Sequence, residues 1–476
     1  MNLTWSSFQN EIFKTIKNFN GNIVVSALAG SAKTTTLIET VRKIPDTKKI
    51  LVTAFNKSIQ QELSSKIDKD HVEVKTFHSL GLKAITKAFG NVTIDDSKVY
   101  KIVRDKLKLK GDLAFNVEKT VSYCKASLND APSGISSIID YRDVDTGELS
   151  QSDFTSLVIK TLSLCKNDKK SVNFDDMCWF YFCHDLSMEK FDYVFVDEFQ
   201  DLNKSQIIMA KKSLAADGRL IVFGDWNQQI YRWRMADNFL IKDLEKEKNT
   251  KVLPLPICYR CPQSVIKLTQ QVVPDILPYE KSEVGTVNHI SFSDLLEKAK
   301  SPAVVLSRVN APLVKTCLQL LKSGKKSNVM GKDIGADLLN IVKKCKKKKI
   351  SEFTVWLGDW LKKETKRAKN KKTVVELISD KFDCFQYLSD GLTTVEQLKA
   401  SIGKLFSDED KESVIMCSTI HKYKGKESEN VYILDWTLRF HPKKDEKSPD
   451  SEEKNLYYVA ITRSKKNLNF VSKTGY

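Results

Sequence analysis

The 476-residue chain has no uninterrupted apolar stretch of about 18 residues, which excludes a helix that crosses a membrane. Its opening residues, Met1-Asn2-Leu3-Thr4-Trp5-Ser6, lack the basic leader and apolar core of a secretory signal. The expectation is therefore a non-secreted, cytoplasmic or otherwise intracellular protein. No repeat of solenoid period is visible, so a stacked-repeat architecture is excluded. There are ten cysteines but only one CxxC, Cys258 and Cys261, with no second CxxC or HxxxH nearby. A four-ligand zinc site is therefore not expected, and the cysteines read as reduced thiols. Acidic charge is in deficit. Seventy-seven lysines and arginines face sixty aspartates and glutamates, a formal charge of +17, which points to a polyanionic partner such as nucleic acid. With 41% hydrophobic and 29% charged residues the chain is globular, and its length suggests about two to four domains.

Two segments carry phosphate chemistry. Asn22-Ile23-Val24-Val25-Ser26 is a β-branched run that fits a buried parallel strand. It leads into Ala27-Leu28-Ala29-Gly30-Ser31-Ala32-Lys33-Thr34-Thr35 and then a helix, with Gly30, Lys33 and Thr34 at phosphate-loop spacing. Backbone N–H groups of Ala29 to Thr35 and the helix N-terminus would face the phosphates. Lys33 would reach the β/γ-phosphates and Thr34 would hold Mg²⁺. Ala32 stands where glycine is usual, and its methyl group disfavours positive φ. The second segment, Tyr193-Val194-Phe195-Val196, is a buried strand that ends in Asp197-Glu198-Phe199-Gln200-Asp201. Carboxylates at the C-terminal end of a parallel strand face the ligand crevice of an open α/β sheet. Asp197 would hold Mg²⁺ through water, and Glu198 would orient and deprotonate the attacking water.

Further motifs follow in order. They are Thr76-Phe77-His78-Ser79-Leu80, Phe174-Asp175-Asp176-Met177, Val196 to Asp201, Gly224 to Arg234, Tyr259-Arg260, Thr419 to Glu427, and Tyr458 to Arg463. Together they resemble the ordered motifs of UvrD/Rep-type superfamily 1 DNA helicases, from Gln9 to Arg463. Ala54-Phe55-Asn56-Lys57 is similar to the F-box DNA helicase branch and its phage relatives.

The resemblance implies an ATP- and Mg²⁺-dependent enzyme and a role for each matched residue. Gln9 would read the adenine edge, Tyr259 would stack on the base, and Glu427 would accept from the ribose. Arg260 and Arg463 would be arginine fingers, and Gln228 would sense the γ-phosphate. Trp233 would stack on DNA bases, flanked by Tyr231 and Arg234. Phe55, Asn56, Lys57, Thr76, His78, Thr419 and His421 would contact the strand or its backbone. The chain departs from the family at Thr35, where an arginine is common, and at Ala54, where the aromatic has moved to Phe55.

The implied fold is α/β, with two RecA-like phosphate-loop lobes built on parallel sheets, each carrying an insertion. Residues 1–85 and 173–248 would form the first lobe and 86–172 its mostly helical insertion. Residues 249–330 and 411–476 would form the second lobe, with Val304 to Arg308 and Val431 to Leu434 as strands. Residues 331–410 would be a small lysine-rich insertion, in which Trp356 and Trp360, at i and i+4, read as one packed helix. The expected function is ATP-driven 3′–5′ translocation on single-stranded DNA coupled to strand separation. Its partners would be single strands and single/double-strand junctions, with replication or recombination proteins as further candidates. The alternative is a translocase or protein-stripping factor with little unwinding.

Overall fold

The computed structural model describes residues 4–54, 57–231, 239–368, 372–406, 414–442 and 451–473. The chain folds as two compact units, Met1–Pro256 and Ile257–Tyr476, each on its own six-stranded sheet. Among the described residues no helix is long and apolar enough to cross a membrane.

The first sheet comprises β1 (Asn22–Ala27), β2 (Ile50–Ala54), β3 (Val72–Thr76), β4 (Phe191–Val196), β5 (Leu214–Gly224) and β6 (Thr250–Leu255). Its order is β3-β2-β4-β5-β1-β6 and every pairing is parallel. Strand side chains alternate between faces, and both faces are covered. Ile23, Val25, Ile50, Val52, Phe195, Ile221 and Phe223 pack on one side with Ile12 and Ile16 of α1 (Ser7–Asn18) and Leu37 and Val41 of α2 (Lys33–Arg42). Val24, Leu51, Val194, Val196, Leu220 and Val222 pack on the other. This two-sided burial is why these strands read as near-continuous apolar runs.

β6 corrects the expected lobe boundary at residue 248. It pairs with β1 from Asn22↔Thr250 to Ala27↔Leu255, so it belongs to the first sheet. Thr250 to Leu255 reads as a strand in either lobe, and only its pairing partner decides which. Pro254 is tolerated because β6 is an edge strand, where a missing N–H breaks no ladder.

Among the described residues the inserted helices share one core with the sheet. Val117 and Val121 of α4 (Gly111–Ser127), Ile135 and Ile138 of Pro132–Tyr141, and Phe154 and Val158 of Gln151–Asn167 join one cluster with the sheet. Within it α3 (Phe77–Phe89) crosses α5 (Phe174–Cys183) at Gly81, where a Cβ would sit 1.7 Å from the Met177 carbonyl oxygen. A buried ion cluster ties the insertion to α5. Asp176 lies 2.9 Å from Lys98 Nζ and 2.7 Å from Lys125 Nζ, and all three side chains are sealed from solvent. Lys98 also donates to the carbonyls of Cys165, Asp168 and Ser171, which completes its three N–H bonds beyond the ion pair's pull. Each ammonium lies over an aromatic ring, Lys98 over Phe180 and Lys125 over Trp179.

The second sheet comprises β7 (Thr286–Ser291), β8 (Ala303–Ser307), β9 (Ser327–Val329), β10 (Ile415–Thr419), β11 (Ser428–Leu434) and β12 (Ser464–Ser472), ordered β7-β12-β11-β8-β10-β9. It too is wholly parallel. The helices α6 (Ala311–Lys322), α7 (Lys332–Lys344), α8 (Ile350–Arg367) and α9 (Lys372–Ser389) contribute Leu313, Leu338, Phe353 and Phe385 to a cluster that includes Val305, Cys417 and Leu434 of the strands. A one-turn helix, α10 (Ile420–Tyr423), follows β10.

Candidate functional site

β1 delivers the chain to a loop that turns back on itself. Gly30 and Ala32 both take left-handed backbone, with φ of 67° and 61°. Glycine does so freely, whereas an alanine there costs roughly 1–2 kcal/mol. Ala32 is the N-cap of α2 and supplies no side-chain cap, so the first N–H groups of α2 face the loop. Ser31 Oγ is buried and has no hydrogen-bond partner among the described residues. Helix N-terminal N–H groups, a left-handed turn and an orphaned hydroxyl make a cradle for an anion. Ala29 is buried in the loop wall and Thr35 faces solvent.

The acidic strand end meets this cradle. Lys33 Nζ lies 2.9 Å from Glu198 Oε2, and Thr34 Oγ1 donates to Asp197 Oδ2 at 3.3 Å. Glu198 also has left-handed backbone, φ 50°, a strained geometry of the kind found at functional sites. Burial opposes the charge on Lys33, but the carboxylates of Glu198, Asp197 and Asp225 outweigh it and raise its pKa. Burial and then the neighbouring Glu198 carboxylate push Asp197 up to about 6, against the pull of Lys33. Negative charge is thus in local excess, which suits a divalent cation beside Thr34 and Asp197.

Gln200, quoted in the acidic motif but given no role there, organises the site. Its Nε2 donates to Glu198 Oε2 at 2.5 Å, and its Oε1 accepts from the Asp225 N–H at 3.0 Å. Asp225 in turn accepts from Gln228 Nε2 at 2.7 Å. Gln228 is therefore linked to Glu198 through Asp225 and Gln200. The sequence holds Gln200 and Asp225 in plain view; what it lacks is the folding of β4 beside β5 that makes them neighbours.

Gln9 has a local task. Its Oε1 accepts from the N–H and hydroxyl of Ser6 in a capping box at the start of α1, and its Nε2 donates to Thr36 Oγ1 at 2.9 Å. The amide thus pins α1 to α2, the helix that follows the phosphate loop.

In the second unit Arg260, Glu427 and Arg463 come together. Arg260 Nε donates to Glu427 Oε2 at 2.5 Å and its Nη1 to the Thr462 carbonyl at 3.4 Å. Lys465 Nζ approaches the other Glu427 oxygen at 3.2 Å. Glu427, expected at a ribose, is here held between two cations. Arg463 is 1% exposed and donates to the carbonyls of Val459 and Lys426. The Tyr259 ring lies 4.9 Å from that of Tyr279. Cys258 and Cys261, on either side of Tyr259-Arg260, are both free thiols. Among the described residues no group of three or more His, Cys, Asp or Glu side chains could hold a metal.

A cleft of about 1060 Å³ opens in the first unit. It is lined by Lys57, Thr76 and His78, expected at a DNA strand, and by Lys119 and Tyr123 of the helical insertion, which sequence reasoning missed. Thr76 caps α3 through its hydroxyl, and the His78 ring packs edge-on against Phe174 at 5.6 Å. Burial lowers the His78 pKa, with Asp175 pulling the other way. In the second unit Thr419 caps α10, and burial, then the charges of Arg308 and Lys424, bring His421 down to about 4. Both imidazoles are neutral at physiological pH. Tyr231 is half-buried. Phe55, Asn56, Trp233 and Arg234 lie outside the described residues.

Known proteins are similar to this chain in sequence. The chain is 27% identical over 318 residues to a probable DNA helicase II homolog of Mycoplasma genitalium, covering 58% of this chain and 43% of the relative. It is 25% identical over 291 residues to the ATP-dependent DNA helicase PcrA of Bacillus subtilis, covering 55% and 38%. It is 24% identical over 308 residues to PcrA of Staphylococcus aureus, covering 57% and 40%. The chain thus spans about two fifths of the length of these relatives. The UvrD/REP helicase N-terminal domain matches residues 8–249, and the UvrD-like helicase C-terminal domain matches residues 135–475. With phosphate loop, acidic strand end and paired parallel sheets all accounted for by those two domains, the chain belongs to the UvrD-like helicase family.

Proposed function

We propose that the protein is an ATP-dependent DNA helicase that moves 3′–5′ along a single strand. The observation that carries the reading is the meeting of Lys33 with Glu198 and of Thr34 with Asp197 at the mouth of an uncapped helix N-terminus. The residues present fit ATP and Mg²⁺. Ala29 to Thr35 and Lys33 would hold the phosphates, with the buried Ser31 hydroxyl available to them. Thr34 and Asp197 would hold Mg²⁺, which when bound supplies neutralisation of phosphate charge. Glu198 orients the attacking water and takes its proton, while Gln200 and Lys33 fix its carboxylate. Arg260 and Arg463 are the proposed guanidinium groups that stabilise charge on the transferring phosphoryl. Gln9, Tyr259 and Glu427 are proposed at the nucleoside. For Glu427 this requires exchange of its present bonds to Arg260 and Lys465.

On the DNA side the proposed contacts are Phe55, Asn56, Lys57, Thr76, His78, Tyr231, Trp233, Arg234, Thr419 and His421. The neutral His78 and the lysines lining the open cleft of the first unit suit a strand held by phosphate contacts and stacking. The 3′–5′ polarity rests on the likeness to UvrD/Rep-type helicases. The test is strand separation on duplexes with a 3′ or a 5′ single-stranded tail, alongside phosphate release. Unwinding from the 3′ tail is expected. DNA-stimulated phosphate release with no unwinding from either tail would replace the helicase reading with a translocase.

A further inference from the structure

Trp356 and Trp360, expected on one packed helix, both lie on α8, where they pack partly against the core and stay half-exposed. Ile350, Phe353 and Leu357 of α8 are buried in that core. Trp356, Trp360, Lys363 and Arg367 recur at i, i+4, i+7 and i+11, which places them in one stripe along the helix. Lys344, at the end of α7, joins them around a cavity of about 440 Å³. The Trp356 ring is backed by Phe353, 5.8 Å away and inclined by 31°, which holds the indole in place. Asp359 and Glu364 also line the cavity, and Glu364 pairs with Arg367 at 2.8 Å. Over residues 332–367 there are eleven lysines and arginines against five acids.

We propose that this slot in the second unit binds an unpaired nucleobase of a DNA strand, which stacks on the indoles while Lys344, Lys363 and Arg367 hold the flanking phosphates. Two indoles beside three cations supply both parts of single-strand recognition, a π-face and phosphate neutralisation. The volume lies within the roughly 300–1,000 Å³ range of small-molecule sites, which a nucleotide-sized group suits. Duplex DNA keeps its base faces stacked internally and offers none to the indoles. An acidic peptide would bring its carboxylates against Asp359 and Glu364. A base instead offers those two carboxylates N–H donors on its pairing edge, the ring N–H in the case of thymine.

The proposal rests on the DNA-binding reading but adds a site to it, and one experiment separates the two. The full chain is photo-cross-linked to a thymidine oligonucleotide carrying 5-iodouracil, and the cross-linked peptides are mapped. Cross-links within Ile350–Arg367 are expected, at Trp356 or Trp360. The pair Trp356→Leu and Trp360→Leu should abolish them and weaken oligonucleotide affinity at least about 5-fold, the lower end of one lost stacking contact. Lys363→Glu with Arg367→Glu, on the exposed side of α8, should do the same without touching the Phe353 packing, and basal ATP hydrolysis should be unchanged in both. Cross-links confined to residues 1–256 would overturn this site and leave the proposed function standing. Absence of any binding would overturn both. Equal competition by blunt duplex or by polyglutamate would also overturn the stacking proposal.

Discussion

Each unit sends a buried parallel strand into a loop and then a helix, yet the two helix N-termini are treated in opposite ways. In the first unit α2 begins at Lys33 behind a left-handed Gly30–Ala32 turn, and no side chain caps it. In the second, α6 begins at Ala311 behind Asn310, and a carboxylate from the insertion fills the position. Asp380 of α9 accepts from the N–H groups of Asn310 and Ala311, at 3.0 and 2.7 Å, and from Asn310 Nδ2 at 2.9 Å. The anion-attracting end of a helix is open in one unit and internally satisfied in the other. A sheet with helices on it therefore does not make a nucleotide site. The proposed nucleotide site lies where a helix N-terminus is left open, and in the second unit Asp380 of the insertion occupies that position.

The largest effect is expected at the open end. Lys33→Ala should lower ATP turnover by about 10²–10³-fold or more, as loss of a charge aimed at the transition state does. Retained turnover in a phosphate-release assay would mean that the open N-terminus of α2 is not the reacting site. Next comes the anchor of the first insertion. Asp176→Ala leaves Lys98 and Lys125 as buried, uncompensated charges and should cost about 3–5 kcal/mol of stability in denaturant unfolding. The insertion of the second unit is anchored more lightly. Asp380→Ala should cost about 1–2 kcal/mol, the range of a lost helix cap, and should leave ATP turnover by the first unit unchanged. If Asp380→Ala proved as costly as Asp176→Ala, the contrast between a capped helix and a buried ion cluster would fail.

Smaller effects sharpen the same contrast. Ala32→Gly relieves left-handed alanine and should raise stability by about 0.5–1 kcal/mol, whereas a glycine at Asn310, whose φ is −85°, should gain nothing. His78 of α3 and His421 of α10, each in the first turn of its helix, give a pH signature shared by both units. Burial lowers the pKa of His78, and His421 falls to about 4. The unfolded chain then binds more protons than the folded one below the ordinary histidine pKa. Their contribution to stability is full above about 6.5, declines as pH falls, and for His421 is lost through about 4. His421→Gln should flatten that decline in urea unfolding measured between those two pH values.

Much was legible in the sequence because the signals are local. The β-branched runs of β1 and β4 state buried parallel strands, and Gly30, Lys33 and Thr34 state a phosphate loop, since both depend on near neighbours in the chain. The edge strand β6 was misassigned because Thr250 to Leu255 carries no mark of its partner. Gln200 and Asp225 were quoted without a role because their bond depends on two strands distant in sequence, β4 and β5, lying side by side. The i, i+4 spacing of Trp356 and Trp360 placed them on one packed helix, but spacing does not say how much of each indole stays open to solvent.

The amino-acid sequence alone determined the chemistry available. It contains a lysine and a threonine at a helix start, two carboxylates at a strand end, and a cationic surplus that calls for a polyanion. Tertiary structure alone decided which of these meet. It joined Glu198 to Asp225 through Gln200, enclosed Asp176 between two lysines, filled the N-terminus of α6 with Asp380, and left the indoles of α8 open beside three cations. The physical reason is one of range. Propensity, turns and loop motifs act over a few residues, whereas charge pairing and burial depend on groups brought together across the chain by the packing of whole strands and helices.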